Sequence, residues 1–373
     1  MNEVQKTVCE LNKCMGCMAC LEACSHNAIS IKDNLKAYNA VIDSQKCIEC
    51  GACHTICQQN HNLDDFKIPA RWYQGWCKIE SIRVAGSSGG IAGAVSLDFV
   101  KSGGIVCSCV LKKGEFVFDF AENEAEVVKF TGSKYVKSNP EGIYSKIKYL
   151  LEKRKKLLFI GLPCQVAAIK KMIPVSMQEN LYTVDLICHG TPSPKMLDIF
   201  LGQYDKDIKQ INDISFRKKA KFQVFVDGRG VITQGVTDRY LVSFLNSMIY
   251  TENCYSCPYA RRERISDITL GDSWGSDLDY LEQKKGISLV LVQTPKGKSL
   301  IESDKFVLKK VDIENAIIHN HQLRAPSTAP ENREDFFERL NNKNFNKLIS
   351  GSFPYICFKQ DIKKILINTG LKK

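Results

Sequence analysis

The sequence predicts a protein of the α+β / α/β class, in which a small cysteine-rich domain precedes a larger mixed α/β domain. Two observations support this prediction. Nine of the 17 cysteines lie before residue 58, and beyond about residue 70 strand-like and helix-like segments alternate. The chain has 373 residues, of which 44% are hydrophobic and 25% are charged. These values are typical of a globular protein with about two or three domains and exclude a disordered or collagen-like chain.

Three regions are expected along the chain. Residues 1–68 form the small domain, residues 69–332 form the large domain, and residues 333–373 form a C-terminal helical extension. The polar stretch 61–71, which contains Pro69, is predicted to be the linker between the first two regions.

The elements of the large domain follow from the spacing of apolar residues. Helices are predicted at residues 89–101, 142–153, 165–172, 193–204 and 239–250. Strands are predicted at residues 105–111, 115–120, 157–160, 181–187, 211–216, 223–226, 267–270 and 288–292. In the last region, an amphipathic helix is predicted at 333–348. Its apolar side would consist of Phe336, Phe337, Leu340, Phe345 and Leu348.

Targeting signals are not evident in the sequence. No apolar run approaches the roughly 18 residues of a membrane helix, and residues 1–13 lack the apolar segment of a signal peptide. The cysteine count is odd, and the cysteines are clustered, which is unlike a secreted disulfide scaffold. We therefore expect reduced thiols, a cytoplasmic location and no membrane span.

The early cysteines form a doubled C-x2-C-x2-C-x3-C motif. The two runs are Cys14, Cys17, Cys20 and Cys24, and then Cys47, Cys50, Cys53 and Cys57. This spacing wraps three thiolates around one 4Fe–4S cluster, and in two-cluster ferredoxins the fourth cysteine of each run binds the other cluster. The predicted ligands are a first set, Cys14, Cys17, Cys20 and Cys57, and a second set, Cys47, Cys50, Cys53 and Cys24. Zinc, which takes four ligands in CxxC pairs, is the alternative, and it fits eight cysteines in this spacing poorly.

This segment resembles a bacterial two-cluster ferredoxin domain. It departs from that pattern at one position. The residue after the fourth cysteine, usually proline, is Ser25 in the first run and Gln58 in the second. Because proline does not bind iron, we expect only the local turn to differ.

Four later cysteines form a third set. Cys164 and Cys188 each follow a predicted strand, and Cys254 and Cys257 form a CxxC pair. Open α/β sheets place their ligands just beyond the carboxyl ends of strands, so these cysteines are candidates for one further cluster. A zinc knuckle with two buried thiols is the alternative.

Several motifs occur together with this third set. They are SSGG at 87–90, GSKY at 132–135, GLPCQVAAIK from 161, DLICHGTPSP from 185, CPY from 257 and SDITLGDSWG from 266. In this order they resemble the coenzyme F420 hydrogenase/dehydrogenase beta-subunit family of FAD-dependent iron–sulfur proteins, over roughly residues 75–332. The resemblance implies a flavin domain that holds FAD and a 4Fe–4S cluster bound by Cys164, Cys188, Cys254 and Cys257.

The SSGG motif is the first candidate flavin contact. Ser87, Ser88, Gly89 and Gly90 precede an apolar helix, and small residues let backbone amides approach a phosphate at a helix N-terminus. An ordinary helix cap with a tight turn is the alternative interpretation.

The GSKY motif supplies Ser133, Lys134 and Tyr135 as further cofactor-binding candidates. Given the resemblance, Lys134 is a candidate catalytic residue that stabilises negative charge on the reduced flavin, and Tyr135 could stack on a ring. A solvated lysine and a half-buried tyrosine are equally compatible with the sequence.

Three more candidates lie near the third set. Asp272 could accept a hydrogen bond from the cofactor and Trp274 could wall its pocket, although a glycine-bounded loop with a buried tryptophan would have the same sequence. His189 is the second catalytic candidate, as a proton donor or as a partner of the adjacent Cys188, with an ordinary core histidine as the alternative.

The predicted function is an FAD-dependent iron–sulfur oxidoreductase. Electrons would pass between a one-electron carrier such as a ferredoxin-like protein, three 4Fe–4S clusters, FAD and a small-molecule hydride partner, for which coenzyme F420 is one candidate. The sequence leaves open the substrate, the direction of electron flow and the oligomeric state. A non-catalytic electron-transfer subunit that feeds a partner enzyme is the main alternative.

Nucleic-acid binding is the other alternative, because the formal net charge is +11. The basic runs near residues 153–156 and 261–264 are short and lack interleaved aromatic residues, so no nucleic-acid partner is expected. Residues 1–68 have six lysines and eight acidic residues, and cluster binding would make this segment still more acidic. That polarity suits a redox partner better than a nucleic acid.

Overall fold

The computed structural model describes residues 6–61 and 65–371. The small domain contains two short helices and a β-hairpin, which are α1 (Ala19–Ala23), β1 (Ile29–Asp33), β2 (Tyr38–Ile42) and α2 (Ala52–Ile56). The hairpin strands pair antiparallel, with Ile29 opposite Ile42. Residues 62–64 of the predicted linker lie outside the described residues, and Lys67 pairs through its backbone with Arg264 of the large domain.

The large domain is built on a mixed sheet of eight strands. The strands of the large domain, including three that form a separate sheet, are β3 (Arg71–Cys77), β4 (Ile105–Lys112), β5 (Glu115–Ala121), β6 (Leu157–Ile160), β7 (Leu181–Leu186), β8 (Ile214–Lys218), β9 (Lys221–Val226), β10 (Arg229–Gly230), β11 (Ile268–Asp272), β12 (Ser288–Val292) and β13 (Phe306–Lys310). The order across the large sheet is β13-β3-β12-β11-β7-β6-β4-β5. Within this order, β11, β7, β6 and β4 are consecutive, and each of these strands runs parallel to the next.

Helices cover both faces of this sheet. The helices of the large domain up to residue 319 are α3 (Glu80–Ala85), α4 (Ile91–Lys101), α5 (Glu124–Val127), α6 (Ile143–Glu152), α7 (Pro163–Met172), α8 (Pro194–Gly202), α9 (Arg239–Leu245), α10 (Tyr280–Lys285), α11 (Pro295–Ser299) and α12 (Ile313–His319). Leu158 of β6 packs with α4 on one face, and its neighbours Leu157 and Phe159 pack with α6 and α7 on the other. The alternation of side chains along a strand produces this two-sided burial.

The predicted fold class is confirmed, since a small domain precedes a larger mixed α/β domain. Strand β3 was not predicted, although it lies inside the sheet between β12 and β13. Its buried Gln74 donates to Asp277 Oδ1 and to the carbonyl of Lys310, so a polar residue is satisfied where periodicity would favour an apolar one.

A separate three-stranded sheet, β10-β9-β8, shares a core with α8, α9 and the C-terminal helices. Those helices are α13 (Arg333–Arg339), α14 (Phe345–Ser352) and α15 (Pro354–Asn368). The single helix predicted at 333–348 is therefore wrong. The chain leaves the helix at Leu340, and the Asn344 side chain accepts from Asn341 N and donates to the Arg339 carbonyl. Such side-chain bonds to the backbone compete with helix formation.

The predicted helix at 239–250 is shorter than expected. Helix α9 ends at Leu245, and Ser247 adopts a left-handed conformation with φ of 57°. In residues 6–61 and 65–371, no helix is both long enough and apolar enough to cross a membrane.

Candidate redox site

The two cysteine runs of the small domain share one backbone conformation. Two residues after the first cysteine of each run, Gly16 and Glu49 have positive φ, and so do Met18 and Gly51 two residues further on. In both loops the first turn directs an amide at the leading sulfur. Gly16 N donates to Cys14 Sγ and Glu49 N donates to Cys47 Sγ, each at 3.4 Å. Hydrogen bonds from amides to the ligand sulfurs are typical of iron–sulfur sites.

The first set surrounds an interior space. All four of its cysteines line one small cavity, and Cys9 lines it with them. Hydrogen bonding to Cys9 lowers the pKa of Cys14 and of Cys57. Burial instead raises the pKa of Cys17, to about 11. Cys9, the cysteine of the small domain that belongs to neither run, therefore lies directly beside the first set.

The second set lies at the protein surface. Cys50 is exposed, and the neighbouring Ile48 exposes 61% of its surface. Burial is the main cause that raises the pKa of Cys53, and the charges of Cys24 and Cys47 add to it, so these three side chains are neighbours. The first set is thus the inner of the two and the second set is the outer.

The third set assembles at the carboxyl edge of the large sheet, as the strand positions predicted. Cys164 lies in the first turn of α7, directly after β6, and Cys188 follows the parallel strand β7. Burial raises the pKa of Cys164 well above its usual value, and the charges of Cys257, Cys188 and Cys254 raise it further. Four cysteines from three separate segments therefore come together. Thr191 N donates to Cys254 Sγ at 3.5 Å.

A single metal ion needs its ligands to converge on one point. Across the described ranges, 6–61 and 65–371, no group of three or more His, Cys, Asp or Glu side chains does so.

The small domain packs its first set against the third. Tyr144 of α6 donates its hydroxyl to the Cys17 carbonyl at 2.5 Å, and Lys137 Nζ donates to the Met15 carbonyl at 3.1 Å. Cys17 and Cys164 belong to one apolar cluster that also contains Tyr259. These contacts turn the inner side of the small domain toward the large sheet.

The predicted SSGG and GSKY segments meet at the same edge of the sheet. Ser133 N donates to Ser87 Oγ at 2.8 Å. Gly89 packs so tightly on β3 that a Cβ there would lie 2.4 Å from the Gly75 carbonyl oxygen. Gly90, with φ of 79°, begins α4 without a side-chain cap, and the amides of the first helical turn are free of a capping side chain.

Lys134 is half-buried and folds back on its own loop. Its ammonium donates to the carbonyls of Phe130, Thr131 and Gly132 at 2.9–3.0 Å, and desolvation lowers its pKa. The ammonium is therefore bonded to the loop backbone. Gly132 itself borders open space, since a Cβ on it would meet no atom within 4 Å.

An arginine that sequence reasoning missed connects the other candidates. Arg217, at the end of β8, forms a two-point ion pair with Asp272, and its Nη1 lies 3.4 Å from the Tyr135 hydroxyl. Its guanidinium also lies 5.7 Å from the centre of the Trp274 ring. Tyr135 stacks on Phe244, with ring centres 4.5 Å apart. Asp272, Tyr135 and Trp274 therefore belong to one cluster around Arg217.

Lys219 was also missed. It lies in the turn between β8 and β9 and donates to the carbonyls of Arg83, Gly86 and Ser88, which holds the hairpin against the SSGG segment. The run RKKAK at 217–221 was the available signal, but a basic turn is usually solvated.

His189 lies between the third set and this cluster. Partial desolvation of its ring lowers its pKa, the charge of Asp272 raises it, and that of Arg217 lowers it. Its carbonyl accepts from Ser327 Oγ at 2.7 Å. The histidine next to Cys188 is therefore exposed and close to the Arg217–Asp272 pair.

The fold and the cysteine sets define an iron–sulfur protein in which a ferredoxin-like module is fused to a larger redox domain. Residues 13–61 match the family model of the 4Fe-4S dicluster domain. Residues 154–315 match the family model for the C terminus of the coenzyme F420 hydrogenase/dehydrogenase beta subunit. The chain therefore carries an iron–sulfur dicluster domain, and its residues 154–315 are similar to the C terminus of the coenzyme F420 hydrogenase/dehydrogenase beta subunit. Both resemblances predicted from the motifs are confirmed.

Among solved structures, the chain is similar to one from the F420-reducing NiFe hydrogenase complex of Methanosarcina barkeri. The identity is 19% and the TM-score is 0.49, with 75% of this chain and 97% of that chain covered. No curated protein matches the chain.

The residues present fit the groups that this family implies. For iron–sulfur clusters, the fit rests on the thiol-lined cavity and on the amides directed at sulfur. For FAD, it rests on the uncapped start of α4 after a glycine pair, which suits a phosphate, and on the open space at Gly132.

Proposed function

We propose that this protein is an FAD-dependent iron–sulfur oxidoreductase that exchanges single electrons with a carrier protein and a hydride with a small molecule. One observation carries the proposal. Twelve cysteines form three successive sets, from the exposed second set through the buried first set to the third set beside His189 and the Arg217–Asp272 pair. A series of this kind suits stepwise electron transfer.

Each set is proposed to hold one 4Fe–4S cluster with the ligands assigned above. The dicluster match supports the iron–sulfur chemistry of the small domain. The third cluster rests on the convergence of Cys164, Cys188, Cys254 and Cys257 at the carboxyl edge of the sheet. By the same proposal, residues 1–68, 69–332 and 333–373 are the cluster domain, the flavin domain and the helical extension.

FAD, when bound, exchanges hydride for single electrons, which no side chain can do. The proposed task of Ser87, Ser88, Gly89 and Gly90 is to bind its phosphates through backbone amides at the start of α4. Ser133 and Ser87 hold the two loops together by their 2.8 Å hydrogen bond.

The charged and aromatic candidates have complementary proposed tasks. Lys134 is half-buried and can place positive charge beside a reduced flavin. Arg217 orients Asp272 as a hydrogen-bond acceptor, and Tyr135 and Trp274 contribute flat walls to the pocket. His189, which lies exposed beside the Arg217–Asp272 pair, can hold or pass a proton.

The proposed partners follow from the two ends of the series. The exposed surface around Cys50 would receive a ferredoxin-like or other redox protein. The pocket end would receive a small hydride donor or acceptor, and coenzyme F420 is a candidate because of the family. Seventeen thiols without disulfides favour a reducing compartment such as the cytoplasm. No nucleic-acid partner is proposed.

Anaerobic analysis of the purified protein tests this function. We expect about twelve iron atoms and one FAD for each chain. The flavin should then be reduced or reoxidised by at least one of three partners, namely reduced ferredoxin, NAD(P)H and reduced F420. Four or fewer irons, or stoichiometric zinc, would refute the cluster assignment. A flavin that reacts with proteins and with no small molecule would favour the electron-transfer subunit instead.

A further inference from the structure

We propose that Gln58 is a positioning residue that connects the first cysteine set to the third and promotes electron transfer between the two clusters. The inference rests on the proposed function, because it requires that the third set binds a cluster. In the step, one electron leaves the reduced cluster of the first set, which becomes oxidised. The same electron reduces the cluster of the third set, and no proton moves and no bond breaks.

Gln58 is almost completely buried between the two domains, with 1% of its surface exposed. Its Nε2 donates to the carbonyl of Cys164 at 2.8 Å, and its Oε1 accepts from the Tyr259 hydroxyl at 2.5 Å. The same residue lines the cavity of the first set together with Cys17 and Cys57. Gln58 therefore borders the first set and bonds directly to Cys164 of the third.

The position of Gln58 in the sequence makes these contacts informative. It follows Cys57 directly, where the ferredoxin motif usually has proline. Proline has no amide hydrogen and no polar side chain, so it could make none of these bonds. A glutamine amide offers both donors and an acceptor, and Gln58 uses a donor for Cys164 and its acceptor for Tyr259.

A short path therefore joins the two sets. It runs from Cys57 through one peptide bond to Gln58, along the Gln58 side chain, and across a hydrogen bond to the backbone of Cys164. The other contacts between the domains described above, from Tyr144 to Cys17 and from Lys137 to Met15, begin on residues outside the third set.

The matching residue of the other run provides a control. Ser25 follows Cys24 just as Gln58 follows Cys57, but Ser25 is exposed on the small domain. If the residue after the fourth cysteine mattered only for the local turn, substitutions at the two positions would have similar effects. If Gln58 acts across the domain interface, only its own substitution changes electron transfer.

The experiment uses the full-length, cluster-loaded protein with the variants Gln58→Ala, Gln58→Glu and Ser25→Ala. Iron content is measured first. One electron per protein is then supplied by a rapid reductant, and freeze-quenched electron paramagnetic resonance follows its arrival at the third cluster. Gln58→Glu keeps the size and the acceptor for Tyr259, but a carboxylate cannot donate to the Cys164 carbonyl.

We expect both Gln58 variants to keep their iron and to slow the arrival of the electron by about tenfold or more, the usual scale for residues that orient ligands. Ser25→Ala should transfer at the wild-type rate. A wild-type rate in Gln58→Ala would overturn the inference, and so would loss of iron from the first set, which would mean that Gln58 only holds the cluster. About eight irons in the wild type would refute the third cluster itself, and the inference with it.

Discussion

Arg217 and Asp272 form a two-point ion pair across the carboxyl edge of the large sheet. Nη1 lies 2.6 Å from Oδ2 and Nη2 lies 3.0 Å from Oδ1. The arginine comes from the small sheet and the aspartate from the end of β11, so the pair fastens the β8–β9 hairpin over the candidate flavin pocket. The guanidinium side chain is only 6% exposed, which makes the pair stronger than a surface ion pair.

The first prediction concerns this pair. Arg217→Lys removes the two-point geometry, which a lysine ammonium cannot reproduce, and we expect at least about tenfold weaker flavin retention and a loss of about 1–3 kcal/mol in stability. Flavin absorbance after gel filtration and urea denaturation measure the two effects. Lys218→Ala changes an exposed neighbour and should alter neither. Full flavin retention in Arg217→Lys would show that the pair does not organise the pocket.

The second prediction concerns pH. Burial, together with the charges of Arg83 and Arg217, lowers the pKa of Lys219 to about 8. Between pH 8 and the ordinary lysine value of 10.5, the unfolded chain therefore holds more protons at this residue than the folded protein does. This residue's contribution to the free energy of unfolding should rise through that window and stay constant below it.

Lys219→Met removes this titration. The stability of the wild type relative to the variant should increase by about 1 kcal/mol between pH 7.5 and 10, a value reduced because the side chain is half-exposed. Urea denaturation at several pH values measures it. The matched variant Lys218→Met should show no such trend, and an identical trend in both variants would contradict the assignment to Lys219.

The third prediction concerns the third cysteine set. The double variant Cys254→Ser, Cys257→Ser should lose about four of the twelve expected irons and keep the two clusters of the small domain. Iron analysis and electron paramagnetic resonance measure this. Cys109→Ala, at a cysteine outside the three sets, is the control and should keep all the iron. Unchanged iron in the double variant would exclude these two cysteines as ligands.

The fourth prediction concerns Cys9. It lines the same cavity as Cys14 and Cys57, and its proximity lowers the pKa of both. Hydrogen bonds to the ligand sulfurs raise the reduction potential of a cluster. Cys9→Ala should therefore keep the iron but lower the potential of the first cluster by roughly 40 mV, the equivalent of one hydrogen bond of about 1 kcal/mol.

A redox titration followed by electron paramagnetic resonance measures this shift. Cys9→Ser retains a donor, so its potential should lie nearer to that of the wild type. Loss of four irons in Cys9→Ala would instead identify Cys9 as a ligand of the first cluster. Cys9 would then take the place assigned to Cys57 or to Cys14.

Much of this molecule was predictable because the information is local. The doubled cysteine spacing is contained within short loops, and the two loops adopt the same backbone conformation. Strands β6 and β12 were predicted with the boundaries that they have, since short apolar runs mark buried strands clearly. Strand β3 and the break between α13 and α14 were missed, because side-chain hydrogen bonds from Gln74 and Asn344 decide them.

The sequence by itself determined the cysteine spacing, the candidate ligands and the resemblance to known families. Only the tertiary structure placed Arg217 against Asp272 across 55 positions of the chain, and Gln58 against Cys164 across 106. It also put Cys9 beside the first set and left the second set exposed. The physical reason is that a motif consists of residues that are close together in the sequence. Burial and hydrogen bonds depend instead on which distant segments the sheet brings together at one edge.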